Sequence, residues 1–272
     1  ERRGAVGLLY FEFHNGAMST AQCTRLAAAI AAAAREPTRV LVLLGGREFW
    51  SNGIHLGVIE AAASAPDESL ANIEAMNAAC RAIVTLDSQW VIAALRGNAA
   101  AGGVFLALGA DEVVAREGIV LNPHYKNMGN LYGSEYWTYL LPRRVGADGV
   151  ARIMDNRLPI GTAAASRLGL VDAVLTAPRA ALLAEIEDRA LELATDDDFA
   201  ARLRARNASR ERDFSTKPLA RYREEELERM RFNFYVFDPS YHVARHRFIH
   251  RTPHSWTPRH LAAHRRLGAL RK

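Results

Sequence analysis

Phe49-Trp50-Ser51-Asn52-Gly53-Ile54-His55-Leu56 follows one buried-strand pattern, Val40 to Leu44, and Arg96-Gly97-Asn98-Ala99-Ala100-Ala101-Gly102-Gly103-Val104 follows another, Val91 to Leu95. Between them runs one long capped helical pattern, from Asp67 to about Leu86. Two turns at the ends of neighbouring strands, joined through a helix, lie side by side at the carboxyl edge of a sheet, where α/β folds bind ligands. Gly53, Gly102 and Gly103 let a ligand approach the backbone. The amides that open the helix at Gly102 point outward with the positive end of its dipole. One Gly-Gly pair alone means no more than a tight turn. Two such segments in this order predict an anion cradle.

Outward from this pair, the alternation of Val6, Leu8 and Tyr10 predicts a first strand, closed by the polar turn His14-Asn15-Gly16. Ser19 or Thr20 then caps an alanine-rich helix running to about Arg35. Downstream, the pattern predicts a helix over Val104–Ala110, short strands near Glu112–Ala115 and Ile119–Leu121, and helices over Glu135–Leu140, Gly146–Met154, Thr162–Leu168 and Arg179–Thr195. This alternation implies a layered α/β architecture. After Thr195 the composition turns to charged helical sequence, with Pro218 opening a helix through about Met230. The expected organisation is a core over residues 1–195 and a basic helical appendage over 196–272.

The 272 residues, 49% of them hydrophobic, suffice for one full core. No apolar run approaches the roughly 18 residues that span a bilayer, and Glu1 to Val6 lacks the order of a signal peptide, so a cytoplasmic protein without membrane contact is expected. Cys23 and Cys80 sit apart in helical patterns and read as reduced thiols. The net charge of +5 and pI near 9.5 arise mostly after residue 200, mixed with Glu224, Glu225, Glu226 and Glu228. That is a solvated face, and no nucleic-acid signature accompanies it. A basic rim that receives nucleotide phosphates fits better. His242, His246, His250 and His254 recur every four residues, a spacing able to hold a transition metal on a helix. Pro253 interrupts the pattern, Arg245 and Arg247 add like charge, and no carboxylate or cysteine completes a ligand set, so a packing tail and no metal are expected.

The two turns resemble those of the enoyl-CoA hydratase/isomerase, or crotonase, superfamily over residues 6 to about 195. The resemblance implies the repeated ββα superhelix of that fold and coenzyme A, carried as a thioester, as ligand. It places the oxyanion hole at the amides of Ile54 and Gly102, with Ser51, Asn52, Gly53 and Gly103 around them. Asn122-Pro123-His124 and the stretch from Leu158-Pro159-Ile160 to Gly169-Leu170-Val171-Asp172 match later family segments. Leu121 to Tyr139, dense in Tyr, Trp and His, is similar to the C-terminal crotonase-like module of nickel–iron (NiFe) hydrogenase maturation factors, as are Asn15 to Ser19 and Lys217 to Tyr222.

Hydratases carry one glutamate three residues past the oxyanion glycine and another on the following strand. Phe105 and Tyr125 occupy those places here. Neither is a carboxylate base near neutral pH, so simple hydration is disfavoured. The maturation-factor resemblance implies instead that formyl-CoA is split into carbon monoxide and CoA, with Tyr125 and Glu135 relaying the proton and a formyltransferase-like domain, upstream or in trans, supplying the formyl group. It further implies that the chain is a fragment or a separately encoded half, and that its partners are the NiFe-hydrogenase maturation machinery. Taken alone, Tyr125 reads equally as a buried strand tyrosine, Glu135 as a first-turn helix acid, and His55 and His124 as structural hydrogen-bonders. A generic acyl-CoA hydrolase, isomerase or lyase, or a non-catalytic CoA-binding docking module, is the alternative.

Overall fold

The computed structural model describes residues 1–252. In its first half, β1 (Arg2–Arg3) and β2 (Val6–Tyr10) lead to α1 (Thr20–Ala33), then to β3 (Val40–Leu44), β4 (Phe49–Ser51), α2 (Leu56–Ala61) and α3 (Ala65–Val84). β5 (Trp90–Leu95), β6 (Asn98–Ala100) and α4 (Gly102–Leu108) form the next unit, followed by β7 (Glu112–Arg116), β8 (Val120–Asn122) and α5 (Trp137–Asp155). Then come β9 (Ile160–Gly161), α6 (Thr162–Arg167), β10 (Ala173–Leu175), α7 (Leu182–Thr195), α8 (Phe199–Thr216), α9 (Leu219–Tyr235) and α10 (Ser240–Ile249).

A six-stranded sheet runs β1-β2-β3-β5-β7-β10, and a four-stranded sheet runs β4-β6-β8-β9. Each strand of the run β3, β5, β7 is followed at once by its partner in the second sheet, β4, β6 or β8, and then by helix. This is the repeated ββα superhelix. β3 lies parallel between β2 and β5 with all five residues buried, which is why Val40 to Leu44 is an unbroken apolar run.

Local chemistry sets the helix starts. Ser19 and Gln22 form a capping box on α1. α3 begins two residues ahead of the predicted Asp67, because Ser64 caps it and Pro66 occupies its first turn. The helices predicted over Glu135–Leu140 and Gly146–Met154 are one element, α5, broken by the left-handed Gly146. Glu135 lies ahead of that helix, so it is not a first-turn acid. α2 and α10 have no counterpart among the predicted helices. α9 runs five residues past the predicted Met230, to Tyr235.

Helices after residue 195 enter the main core: Leu219, Leu227, Met230, Phe234 and Tyr241 belong to the same buried cluster as Ile73, Phe105 and Tyr125. Arg206 and Arg210 both pair with the buried Asp111. Cys23 and Cys80 are free, buried thiols, and burial raises the pKa of both. Among the described residues no helix is long and apolar enough to cross a membrane.

The histidine stripe needs one correction. The expectation that no carboxylate joins it fails, because Glu60 of α2 reaches it across the α2–α10 contact. Glu60 accepts hydrogen bonds from His246 at 2.8 Å and His250 at 3.2 Å. Pro253 and His254 lie outside the described residues.

Candidate active site

β4 delivers its chain into the turn Asn52-Gly53-Ile54, where Gly53 takes a left-handed φ of 84°. The turn is tied down on both sides. Asn52 N donates to Gly16 O at 2.7 Å, and Met18 N donates to Gly53 O at 2.9 Å. From α3, the buried Asn72 accepts from His55 N at 3.0 Å and donates to Met18 O at 2.9 Å. β6 runs into Ala101, whose φ of 47° is strained for alanine and aims the start of α4 at Gly102. A Cβ at Gly53 would sit 3.4 Å from Gly102 N, so the two turns touch. Among the described residues neither the Ile54 nor the Gly102 amide finds an acceptor. Two adjacent free N–H groups can hold a carbonyl oxygen as it gains charge.

Opposite them stands a buried pair. Tyr125 Oη donates to Glu135 Oε2 at 2.6 Å and also lies 3.2 Å from Ser134 O. Glu135 is 1% exposed. Its carboxyl group packs directly over Gly102, where even a Cβ would come within 2.6 Å of Glu135 Cδ. The acid and the Gly102 turn are thus in contact. Burial pushes the Glu135 pKa up to about 8, assisted by the negative charge of Glu226 and opposed by the Tyr125 hydrogen bond. Burial, and the Glu135 charge beside it, raise Tyr125 well above the usual tyrosine range. With Glu135 protonated, its hydroxyl donates to Tyr125 and Tyr125 donates to Ser134 O, so no donor is left over.

The backbone carrying Glu135 is strained: Glu135 and Tyr136 both adopt left-handed φ, 62° and 58°. Three anchors hold it. Asn77 of α3 accepts from Ser134 Oγ at 2.9 Å and from Glu135 N at 2.8 Å. Gly133 leaves room for the Tyr125 ring, which any Cβ there would strike. Glu226 of α9, fully buried, accepts from Tyr136 N and Thr138 N, both at 2.9 Å, and from Thr138 Oγ1 at 2.6 Å. It therefore caps the N-terminus of α5 from another helix. Burial raises its pKa to about 7, against those hydrogen bonds.

Both halves line one cavity of about 330 Å³, walled mainly by apolar groups such as Ile54, Ile73, Met128, Leu131, Met230 and Phe248. Among the described residues lining it, Glu135 is the only carboxylate. Asn52, Gly53, Ile54, Gly102, Tyr125 and Glu135 line it. Ser51 and Gly103 do not. Ser51 is buried beneath the turn, where its Oγ accepts from Gly53 N at 3.1 Å, and Gly103 packs on the Ser51 carbonyl. His55 caps α2 by accepting from Val58 N. His124 lines the cavity and contacts Arg157 O through Nε2 at 3.0 Å. Phe105 is buried and stacks on Tyr125, ring centroids 5.6 Å apart.

The residues present fit a thioester ligand. Besides the two free amides, Asn122 Oδ1 and His124 Nδ1 are buried without a hydrogen-bond partner, and both residues line the cavity. Asn72, Asn77 and Glu226 were not singled out from the sequence. Asn72 and Asn77 carried a signal: polar residues on an otherwise apolar helix face with Ile73, Met76 and Cys80. Glu226 stands among four exposed-looking acids and carried none.

The family pattern described as enoyl-CoA hydratase/isomerase matches residues 5–259. The chain is 56% identical over 262 residues to hydrogenase maturation factor HoxX of Bradyrhizobium diazoefficiens, covering 96% of this chain and 46% of that protein. A crystal structure of HypX from Aquifex aeolicus in complex with tetrahydrofolic acid superposes with a TM-score of 0.93 at 45% identity, over 98% of this chain and 47% of that one. An enoyl-CoA hydratase from Bacillus halodurans superposes at 0.77 with 18% identity, over 90% of this chain and 97% of that one, a likeness of fold alone. The chain spans about half the length of the maturation factors it matches. From the two glycine turns, the repeated ββα frame and this match along nearly its whole length, the chain belongs to the enoyl-CoA hydratase/isomerase family.

Proposed function

We propose that this domain splits formyl-CoA into carbon monoxide and CoA, as the carbonyl-supplying step of NiFe-hydrogenase maturation. The observation that carries the reading is the buried Glu135–Tyr125 pair, packed on the oxyanion glycine in an apolar cavity with no second carboxylate among its described lining residues. Hydration needs two carboxylates to place a water, and Phe105 and Tyr125 stand where they would be. Decarbonylation needs one proton moved and water kept out.

The Ile54 and Gly102 amides hold the formyl oxygen. Ionised Glu135 takes the formyl proton, and the C–H electron pair stays on carbon as the lone pair of carbon monoxide. The C–S pair leaves with sulfur. The thiolate then takes a proton from the Tyr125 hydroxyl, which Glu135 reprotonates, so the proton count is unchanged. The similarity to HoxX and HypX supports the maturation role. The other half of those proteins is proposed to contain the formyltransferase-like partner, and the tetrahydrofolic acid complex of the Aquifex aeolicus protein supports a folate donor.

Headspace carbon monoxide, free CoA and formate, measured after adding formyl-CoA, test this. Carbon monoxide and CoA in equal amounts are expected. Formate without carbon monoxide would make the domain a hydrolase, and CoA binding without turnover a docking module.

A further inference from the structure

α2 begins two residues after the oxyanion residue Ile54 and carries Glu60 on its second turn. Against it packs α10, which carries Phe248 into the cavity lining. At their contact the two oxygens of Glu60 are divided. Oε2 accepts from Arg245 Nε at 2.7 Å, while Oε1 is shared by His246 Nδ1 at 2.8 Å and His250 Nε2 at 3.2 Å. The two imidazoles, one helical turn apart, have centroids 4.2 Å apart. All three candidate ligand atoms lie within 4.8 Å of one another.

We infer that Glu60, His246 and His250 form a binding site for a divalent transition-metal ion that bridges α2 and α10. Two imidazoles and a carboxylate suit zinc, nickel, cobalt or copper and are a poor set for magnesium or calcium, which take oxygen ligands. In the metal-free protein the two imidazole N–H groups converge on one oxygen, and an ion takes the place of those protons. Zinc–nitrogen bonds of about 2.0–2.1 Å require the three atoms to draw somewhat closer. His246 and His250 can move to do so, with side chains 58% and 51% exposed. Arg245 opposes the ion by charge, but it engages the other carboxylate oxygen and so holds Oε1 turned toward the histidines.

His242 takes no part. Its Nε2 donates to Phe234 O at 2.9 Å and its Nδ1 accepts from Arg245 at 2.8 Å, so both ring nitrogens are used. Among the described residues the site is therefore two histidines and one carboxylate from a distant helix. With three ligands among the described residues, a tetrahedral ion has a fourth position for water or a further donor. A bound ion fastens the helix that follows the oxyanion turn to the helix that bears Phe248, two walls of the same cavity.

The test is titration of chelator-treated protein with zinc, followed by calorimetry, and with cobalt, followed by its visible absorption. One ion per chain with a dissociation constant of about 10 μM or tighter is expected, with a melting temperature that rises with free metal. His246→Gln and His250→Gln should each weaken binding at least about tenfold. The double variant should abolish it while leaving the metal-free melting temperature within about 2 °C, since both residues are exposed. Absence of stoichiometric binding in the micromolar range overturns the inference. So does binding that survives the double variant.

Discussion

The two halves of the cavity are built by different means. The proposed oxyanion half is made of backbone: each of its turns follows its own strand directly, and Gly16, Met18 and Asn72 tie down the first. The acid–base half is assembled from afar. Tyr125 comes from the chain after β8, Glu135 from a strained loop, Asn77 from α3 and Glu226 from α9, 91 residues past Glu135. In the proposed reaction, the thioester is held by backbone geometry that a few glycines specify, and the proton is moved by buried side chains whose protonation the whole fold sets.

The sharpest way to separate the halves is to remove the acid. Glu135→Gln removes the titrating group with little change of shape and should cut carbon monoxide release by about 10²–10⁴-fold, with CoA affinity in calorimetry unchanged within a few fold. Tyr125→Phe should lose a comparable amount, and the double variant far less than the product, because the pair acts as a unit. Near-normal turnover by a folded Glu135→Gln would take the residue out of the mechanism.

The pH dependence comes next. If Glu135, with its pKa raised to about 8, must be ionised to act, kcat/KM should climb about tenfold per pH unit from pH 6 and level off above about pH 8. Stability should move the other way. Between pH 4.5, the ordinary value, and about 8, folded Glu135 keeps a proton that the unfolded chain has released, so its contribution makes stability fall as pH rises, by at most about 1.4 kcal/mol per unit, and Glu226, raised to about 7, adds a fall of the same sign up to that pH. Glu135→Gln should flatten that fall and be relatively more stable than the parent at pH 9 than at pH 5, as denaturant melts would show.

Smaller effects test the anchors one at a time. Asn77→Ala removes the acceptor of two buried donors on the acid–base half, and Asn72→Ala removes two of the bonds that brace the Gly53 turn. Each should cost about 1–3 kcal/mol in chemical denaturation. Asn77→Ala should lower kcat while leaving CoA affinity close to the parent value, whereas Asn72→Ala should weaken CoA binding. Identical kinetic signatures would erase the distinction between the halves. The smallest gain is expected from Phe105→Glu with Tyr125→Glu: at most trace hydration of crotonyl-CoA, because these carboxylates would replace a stacked buried pair. Robust hydration by the unmodified protein would contradict the reading of both positions.

From the residues themselves one obtains the strand–helix alternation and the two turns, while the ββα frame and the pairing of Tyr125 with Glu135 come from the family resemblance that the same sequence carries. Periodicity, capping residues and glycines act within a few residues of where they stand, and the family motifs preserve their spacing. Ser51 shows where that legibility thins, since it belongs to the motif yet is buried beneath the turn as a backbone acceptor. What only the tertiary structure decided is which distant groups meet. Glu226, one acid among several on a charged helix, turns out to cap α5 and to press on the Glu135 pKa. Glu60 completes a cluster with His246 and His250 across 186 and 190 residues of chain. Glu135 lies ahead of a helix rather than in its first turn because Asn77 and Glu226 together hold two successive residues in left-handed backbone. Such meetings depend on the packing of α3, α9 and α10, and packing energy is a sum over contacts that no local window of sequence contains.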